Sequence, residues 1–255
     1  MTDYEAERAS FRLPVPERFN FVLDVLERRA AATPNGLALL SLDAAGAVSA
    51  RHTWAGIATE SRRMGHALTA QGVGKGDPVF LMLPRIPEWY VAALGAIRIG
   101  AIPMPGTNLL TAKDIAYRID RAEAAAAITD SEGAQKVDAA GDLPTLRQRI
   151  VVGEAPSGGW TPLPELLEPA STDPTPADPT AAADPMLLYF TSGTVSYPKM
   201  VMHTQAMGSA TPSPPVTGRT SGRATSTGPS PTWAGPRRRG ASSSASGPRA
   251  PPWCS

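Results

Sequence analysis

Short apolar runs of strand length alternate with helical segments through the first half of the 255-residue chain, and this alternation constrains the fold more than any other feature. The apolar run Pro78–Leu83 is followed by a helical pattern that begins at Pro87, a residue type favoured in the first turn of a helix. Ala101–Met104 is a further strand-length run, and Thr111 with Asp114 forms a capping-box-like start for the next helix. Strands joined by crossover helices form parallel sheets. The sequence therefore predicts an α/β fold, with mixed but mostly parallel sheets flanked by helices.

Other segments add predicted elements on both sides of this alternation. Periodic apolar residues predict an amphipathic helix over Phe19–Ala32, and the run TPNG that follows it ends the helix. Two strand-like runs joined by a short turn predict a β-hairpin. The remaining predicted elements are the hairpin strands Leu37–Leu42 and Val48–Thr53, a helix over Trp54–Gln71, the helix from Thr111 through Arg121, and the strands Ala124–Thr129 and Arg149–Val152.

Composition places the chain among globular proteins. Hydrophobic residues make up 42% of the sequence, which is enough for a buried core. No run approaches the ~18 apolar residues that a membrane-spanning helix needs, so no transmembrane segment is predicted. The acidic start MTDYEAERASF lacks the apolar stretch of a signal peptide, and the single cysteine, Cys254, has no partner for an internal disulfide. These features predict a cytoplasmic protein.

A hydroxyl- and glycine-rich turn lies between an apolar strand and a lysine in the stretch LLYFTSGTVSYPKMVMHT, residues 187–204. Met186–Phe190 is predicted as a short buried strand, and the turn at 191–194 supplies hydroxyl groups and free backbone N–H groups. Glycine permits close backbone approach, and successive N–H groups form a concavity suited to phosphate oxygens. Pro198 ends the loop, and Lys199 adds a compact positive charge. The stretch therefore predicts a polyphosphate-binding loop.

The same stretch matches neither of two common phosphate-binding fingerprints, because it lacks both G-x-x-x-x-G-K-[ST] and G-x-G-x-x-G. Taken whole, YFTSGT-x-x-x-PK-x-V-x-H-T resembles the phosphate-binding signature of the adenylate-forming (AMP-binding) enzymes. Val195-Ser196 stands where that family most often has Thr-Gly. LMLPRIPEWYVAALGAIRIGAIPMPGT, followed by DIAYRI, is similar to the medium-chain acyl-CoA synthetases. The resemblance covers about residues 19–206 and implies the N-terminal part of the family's large domain.

The resemblance implies roles for individual residues of this stretch. The loop and the lysine that follows it would bind the phosphates of ATP, and His203 would face the substrate pocket at the start of the helix after the loop. A helix-start histidine that makes only local hydrogen bonds is the alternative for His203. The implied phosphate contacts are Thr191, Ser192, Gly193, Thr194, Val195, Ser196 and Lys199.

An ATP-dependent acyl-CoA synthetase is the function that the resemblance implies. A fatty or aryl carboxylate would attack the α-phosphate of Mg²⁺-ATP to give an acyl-adenylate and pyrophosphate, and the thiol of coenzyme A would then displace AMP. The family's adenine-binding loop, ribose-binding aspartate, hinge and C-terminal domain would follow residue 206, and none is recognisable there. We therefore expect an incomplete N-terminal fragment that lacks residues needed for catalysis. The alternatives are a non-catalytic nucleotide- or phosphate-binding module and a truncated gene product with no function of its own.

Several other residues invite a functional interpretation but favour a structural one. His52 and His66 have no Cys, Asp or Glu cluster at ligand spacing, which argues against a metal site. Arg85 follows an apolar strand, where α/β sheets place ligands, but a solvated loop arginine is the simpler interpretation. Trp89 and Tyr90 are expected in the core rather than on a base-stacking surface.

Composition divides the chain into three predicted regions. Residues 1–18 form an N-terminal extension, residues 19–206 the partial AMP-binding domain, and residues 207–255 a disordered low-complexity tail. Within the domain, PASTDPTPADPTAAADP at 169–185 is typical of a flexible or polyproline-like connector. The tail holds six of the 24 Lys and Arg residues and none of the 23 Asp and Glu residues. Its basic triplet at 237–239 has no interleaved aromatic residues, so nucleic-acid binding is not predicted.

We interpret the tail as a frame-shifted translation. Gly, Pro, Ser, Ala, Thr and Arg make up almost all of it, so no core can form there. If the first two bases of each tail codon are the second and third bases of an original codon, Thr232–Arg237 permits Asp-Leu-Gly-Trp-Ala-Lys. The glycine of that string is forced, because tryptophan has a single codon. One constant offset serves from Met207 to the end, and the decoded string resembles the way medium-chain synthetases continue.

Sequencing the genomic DNA around codon 206 tests this interpretation. We expect a lost base, or an equivalent shift, near that codon, with the offset frame open and continuing as a synthetase past codon 255. Stop codons in the offset frame would instead make the tail an evolved disordered sequence.

Overall fold

The computed structural model describes residues 3–11, 14–174, 180–191 and 197–209. The helices are α1 (Tyr4–Ser10), α2 (Glu27–Ala32), α3 (Trp54–Ala70), α4 (Pro87–Arg98), α5 (Ala112–Ala122), α6 (Ser131–Asp138), α7 (Leu163–Leu167) and α8 (Ala206–Ser209), and a π-helical turn at Val22–Leu26 leads into α2. The strands are β1 (Leu37–Leu42), β2 (Val48–Thr53), β3 (Pro78–Met82), β4 (Ile102–Pro105), β5 (Ala126–Asp130), β6 (Gln148–Val152), β7 (Thr161–Pro162), β8 (Pro185–Thr191) and β9 (Lys199–Thr204).

A five-stranded parallel sheet forms the centre of this part of the chain, in the order β4-β3-β5-β6-β7. Two further strand pairs, β1 with β2 and β8 with β9, are antiparallel and separate from it. Helices α4, α5 and α6 follow successive strands of the parallel sheet, as parallel pairing requires. This architecture confirms the predicted α/β fold with mostly parallel sheets flanked by helices.

Both faces of the parallel sheet are buried. Alternate residues of each strand point to opposite faces and therefore belong to different apolar clusters. Val79 and Leu81 of β3 pack with residues of α3, α4 and α7 in one apolar cluster. Their neighbours Phe80 and Met82 pack with residues of α5 and α6 in a second cluster, which also includes Leu188 of β8. Strand β8 therefore helps to cover the same face of the sheet as α5 and α6.

Most of the predicted helices and strands are confirmed, with boundaries that differ by a few residues at most. The predicted capping box at the start of α5 is present: the Thr111 hydroxyl accepts from the Asp114 amide, and the Asp114 carboxylate accepts from the Thr111 amide. Hydrogen bonds from Thr111 lower the pKa of the Asp114 carboxyl. Helix α6 is absent from the predictions, although its N-cap Asp130 accepts a hydrogen bond from the Gly133 amide at 2.8 Å. Within the described ranges, no helix is long and apolar enough to cross a membrane.

The segment before α2 is tied to the described end of the predicted connector. The Phe19 amide donates to the Thr180 carbonyl at 3.1 Å, and the Thr180 hydroxyl donates to the Phe19 carbonyl at 2.6 Å. The Ala182 amide donates to the Glu17 carbonyl at 2.9 Å. Connector residues 175–179 and tail residues 210–255 lie outside the described residues. The chain that leads into β8 is thus fixed from Thr180 onward.

A buried ion network joins α2, α3 and α4. The Arg98 side chain is 1% exposed and donates to Glu27 Oε1 at 2.6 Å and to Ser61 Oγ at 2.8 Å. Arg62 donates to both carboxylate oxygens of Glu27, with an Nε–Oε1 distance of 2.8 Å. Partial burial acts to raise the pKa of Glu27, but the hydrogen bonds from Arg62 and Arg98 hold it below the usual 4.5. Glu27 thus neutralises a guanidinium that is shut off from water.

Glu27→Gln is expected to lower the free energy of unfolding by about 3 kcal/mol near neutral pH, because the buried Arg98 loses its counter-ion. Glu60→Gln on α3 is the matched control, since Glu60 is 44% exposed and lies 4.0 Å from Arg63. We expect the control to change stability by less than about 0.5 kcal/mol. Urea unfolding of the purified chain measures both, and equal effects would contradict a special role for the buried network.

The lowered pKa of Glu27 also predicts how this difference depends on pH. A carboxylate with a lower pKa in the folded state stabilises the fold above its unfolded pKa and loses that contribution as the pH falls through its folded pKa. The stability difference between the unmodified chain and Glu27→Gln should therefore be complete near neutral pH and shrink once the pH falls below 4.5.

Candidate phosphate-binding site

Strands β8 and β9 form an antiparallel hairpin, and its tip, defined here as the paired residues Thr191 and Lys199, leads into and out of the predicted phosphate loop. Their pairing runs from Pro185 opposite Thr204 to Thr191 opposite Lys199. Residues 192–196 connect the two strands near this second end and lie outside the described residues. The hairpin therefore brings the threonine before the loop and the lysine after it side by side.

The base of the hairpin is anchored in the core. Met186 and Leu188 are 4% and 2% exposed. Asp184, directly before β8, forms an ion pair with Lys75 at 2.9 Å, and the hydrogen bond from Lys75 lowers the pKa of the Asp184 carboxyl. The Gln205 amide, directly after β9, donates to the Asp184 carbonyl at 2.9 Å. Burial, an ion pair and a backbone hydrogen bond thus fix this end of the two strands.

The tip of the hairpin is exposed and more weakly bonded. The Thr191 hydroxyl lies 3.5 Å from the Lys199 carbonyl oxygen, which is at the long limit for a hydrogen bond. Both residues are exposed, and none of the ion pairs within the described ranges includes Lys199. Lys199 forms none of those ion pairs and lies opposite Thr191 in the strand register, so the pair supplies a positive charge and a hydroxyl group, which suit phosphate oxygens.

Helix α5 supports the tip from the side. Its residue Tyr117 stacks on Tyr197, with ring centroids 5.0 Å apart and ring planes at 29°. The Tyr117 hydroxyl donates to the Pro198 carbonyl at 3.3 Å. The Tyr117 ring also meets Phe190 of β8 edge-on at 6.1 Å, and the Arg118 guanidinium lies 5.5 Å from the centroid of the same phenyl ring. One helix thus contacts the chain just before and just after the predicted loop.

The structure brings together the two ends of the predicted phosphate-binding set. Thr191 is the last residue of β8 rather than part of the turn, and Lys199 is the first residue of β9. Ser192, Gly193, Thr194, Val195 and Ser196 lie outside the described residues. Phosphate binding by all seven residues stays a prediction.

The prediction that His203 lies at the start of a helix is wrong. His203 pairs with Leu187 inside the hairpin, and helix α8 starts only at Ala206. Its imidazole meets the Tyr189 ring edge-on, with centroids 5.8 Å apart. Cross-strand pairing with β8 holds the whole segment KMVMHT extended, which overrides any local helical preference. A role for His203 in the substrate pocket stays a prediction.

Three aromatic and basic residues considered above, Arg85, Trp89 and Tyr90, differ in how well they match the sequence prediction. Arg85 is exposed, as a solvated loop arginine is. Trp89 is partly buried against the first apolar cluster. Tyr90 is 41% exposed, so its predicted core position is wrong. It follows Trp89 on α4, and adjacent helical residues do not share a face.

A cavity of about 750 Å³ is lined by neither Thr191 nor Lys199, the two predicted phosphate-binding residues that the structure describes. Its walls come from β2, the N-terminal parts of α3 and α4, α7 and the end of β6, and include Arg51, His52 and Glu88. His52 Nε2 lies 3.1 Å from the Ser41 hydroxyl oxygen. His66 Nε2 lies 3.1 Å from the backbone carbonyl oxygen of residue 173. Both histidines thus have a hydrogen-bonding partner within the protein.

The support that α5 gives to the hairpin is absent from the sequence predictions. The segment DIAYRI places Tyr117 on a helix, and nothing local connects it with the loop. Pro198 lies 81 residues further along the chain. Only the sheet topology, which puts α5 and β8 on one face, brings the two together.

Comparison with known proteins assigns this fold and hairpin to a family. The AMP-binding enzyme family matches residues 26–211, a range that includes the parallel sheet and the hairpin. The chain belongs to this family. The similarity to medium-chain acyl-CoA synthetases is confirmed by two curated relatives.

Those relatives are much longer than the matched region. The human mitochondrial acyl-coenzyme A synthetase ACSM3 is 36% identical over 212 residues, which cover 80% of this chain and 36% of the relative. The mouse mitochondrial acyl-coenzyme A synthetase ACSM5 is 35% identical over 202 residues, which cover 76% of this chain and 35% of the relative. The chain thus spans little more than a third of the length of the curated relatives it matches.

Solved structures share the fold. The anthranilate CoA ligase AuaEII in complex with anthranoyl-AMP aligns with a TM-score of 0.69 and 27% identity, over 75% of this chain and 36% of that one. The inhibitor-bound N-terminal domain of FACL13 from Mycobacterium tuberculosis aligns with a TM-score of 0.62 and 26% identity, over 73% of this chain and 44% of that one. These alignments confirm the predicted fold class.

Lys199→Ala is expected to weaken the affinity of the chain for Mg²⁺-ATP by about 10- to 150-fold, since a charge-assisted hydrogen bond is worth about 1.5–3 kcal/mol. Titration calorimetry measures the affinity. Lys136→Ala is the matched control, because the Lys136 ammonium already pairs with Glu132 at 2.7 Å. An unchanged affinity in Lys199→Ala would remove this lysine from the site.

Proposed function

We propose that this chain carries the part of an ATP-dependent acyl-CoA synthetase that binds the ATP phosphates. The observation that carries the proposal is the register of the hairpin, which sets Thr191 opposite Lys199 at the two ends of the segment 192–196. Membership of the AMP-binding family and similarity to acyl-coenzyme A synthetases support it. The proposed phosphate contacts are the hydroxyls and amides of residues 191–196 and the Lys199 ammonium.

The chemistry requires electrostatic stabilisation from this part of the site. Negative charge on the β- and γ-phosphates must be held while a carboxylate attacks the α-phosphate and pyrophosphate leaves. The loop amides and hydroxyls would donate hydrogen bonds to those oxygens, and Lys199 would offset their charge. The backbone of Lys199 is held by pairing with Thr191, while its long side chain is exposed and free to follow the leaving group.

Magnesium enters this proposal as the counter-ion of ATP, and when bound it polarises the phosphate oxygens. The described residues hold no group of three or more His, Cys, Asp or Glu side chains that form a metal site. No described residue is therefore assigned to the ion, and the steps proposed for this chain concern its own hydrogen-bond donors and its lysine.

The other substrates would be a fatty or aryl carboxylic acid and coenzyme A. Because the chain covers 36% of the length of the human relative, the complete reaction is proposed for a whole enzyme rather than for this region alone. Catalysis needs groups that bind the transition state from several sides, and this region would supply only the groups that contact the phosphates. A cytoplasmic location is part of the proposal, in contrast to the mitochondrial location in the names of the relatives.

The purified 255-residue chain is expected to bind Mg²⁺-ATP in competition with pyrophosphate, but to form no thioester from octanoate or benzoate with ATP and coenzyme A. Calorimetry with ATP, followed by titration of the ATP-loaded chain with pyrophosphate, measures the first expectation. A thiol-consumption assay with coenzyme A measures the second.

Each of these two measurements can contradict the proposal. A folded chain that binds neither ATP nor pyrophosphate would overturn phosphate binding. Thioester formation at rates ordinary for an enzyme would show that the chain contains the whole catalytic site.

A further inference from the structure

We infer that Tyr117 is a positioning residue of the predicted phosphate loop: it fixes the chain at Tyr197, Pro198 and Lys199, where the loop enters β9. What this positioning achieves for nucleotide binding rests on the proposed function. The contacts themselves lie wholly within the described residues.

Tyr117 belongs to a rigid helix. The capping box of Thr111 and Asp114 fixes the start of α5, and Ile115 and Ile119 are fully buried in the second apolar cluster. A residue between two buried isoleucines on a capped helix has little freedom to move with the loop. Tyr117 therefore gives the hairpin tip a fixed point of contact with the core.

The partner of the stack has little support of its own. Tyr197 is 61% exposed, and Tyr117 is its aromatic partner among the described residues. A stacked aromatic pair contributes stabilisation beyond the area that it buries. The stack is therefore the described contact that holds the side chain of Tyr197 in place.

The hydrogen bond acts directly on the peptide group that leads into Lys199. The Pro198 carbonyl, which accepts from the Tyr117 hydroxyl at 3.3 Å, lies in the same rigid plane as the Lys199 N–H. Pro198 also has a fixed φ angle. Holding the Pro198 oxygen therefore restricts the orientation of the Lys199 amide and the direction in which its side chain leaves the strand.

The position of Tyr117 suits an effect confined to the tip. Phe190, one residue before Thr191, also contacts the Tyr117 ring. The base of the hairpin is held independently, by the buried Leu188 and by the ion pair of Lys75 with Asp184. Loss of Tyr117 should therefore loosen the tip and leave the base in place.

Two variants and a control test the inference in the full 255-residue chain. Tyr117→Leu removes the stack and the hydrogen bond, whereas Tyr117→Phe removes the hydrogen bond alone. Tyr90→Leu on α4 is the control, since Tyr90 is 41% exposed and its ring partner is Trp89. Amide hydrogen exchange, followed by mass spectrometry, reports on peptides that cover β9 and, for comparison, β3 and β5.

In Tyr117→Leu we expect about tenfold faster exchange in the β9 peptide and unchanged exchange in β3 and β5. Tyr117→Phe should raise the exchange rate of the β9 peptide by only about two- to fivefold, because the ring stack is retained. Unchanged exchange of β9 in Tyr117→Leu would overturn the inference. Faster exchange in all three strands would also overturn it, because Tyr117 would then stabilise the whole fold.

A double-mutant cycle with Lys199→Ala tests whether Tyr117 acts through the lysine. We expect Tyr117→Leu to weaken Mg²⁺-ATP affinity about tenfold in the unmodified chain and much less in Lys199→Ala, because residues that act through one another are not additive. Additive losses, or no loss in Tyr117→Leu, would overturn the positioning role. A further outcome is a chain that binds no ATP and still shows faster exchange of the β9 peptide alone in Tyr117→Leu. That result would overturn the proposed function and support the inference that Tyr117 fixes Tyr197, Pro198 and Lys199.

Discussion

The parallel sheet has two apolar faces, and the need to cover both of them determines where the remaining elements lie. In β3 the residues Val79 and Leu81 face one apolar cluster, while Phe80 and Met82 face the other. Such a sheet is stable only if helices or strands exclude water from both sides. Helices α5 and α6 cover the second face together with Leu188 of β8. Helix α5 and the hairpin thus lie next to each other because both cover this face of the sheet, and not because of any local signal in the loop.

The hairpin joins two environments. Its base is part of the core, where the Asp184 carbonyl accepts from the Gln205 amide and the Asp184 carboxylate pairs with Lys75. Its tip is exposed, and the contact between the Thr191 hydroxyl and the Lys199 carbonyl is long. Functional loops are commonly carried on rigid scaffolds in this way. The antiparallel pairing fixes which residues meet across the tip, because a shift of one residue in register would move Lys199 away from Thr191.

Local sequence signals predicted the elements well and the contacts between them poorly. Pro87 at a helix start and the capping box at Thr111 are decided by the nearest few residues, so sequence alone identified them. The family resemblance implied a helix start for His203, and local periodicity could not correct it, because the strand partner Leu187 lies in another segment. The aromatic type of Tyr90 favoured a core position, but residue type does not determine which face of a helix a residue occupies, and Tyr90 is exposed.

The candidate site shows the same limit. The sequence identified Lys199 as the charge at the end of the loop, but its alignment with Thr191 follows from strand register. The contact of Tyr117 with Pro198 joins residues 81 positions apart and follows from the order of strands in the sheet. The family signature therefore predicted which groups would contact a phosphate, whereas the supporting element, α5, became evident only from the topology.

This support has an energetic consequence for any ligand of the loop. Fixing the backbone of one residue costs about 1–2 kcal/mol at 25 °C, and a ligand that orders a free loop must offset that cost for every residue it fixes. Tyr197, Pro198 and Lys199 are already held by α5 and by pairing with β8. A polyphosphate that binds at the tip would meet a lysine whose backbone is ordered in advance, so more of its interaction energy would appear as affinity.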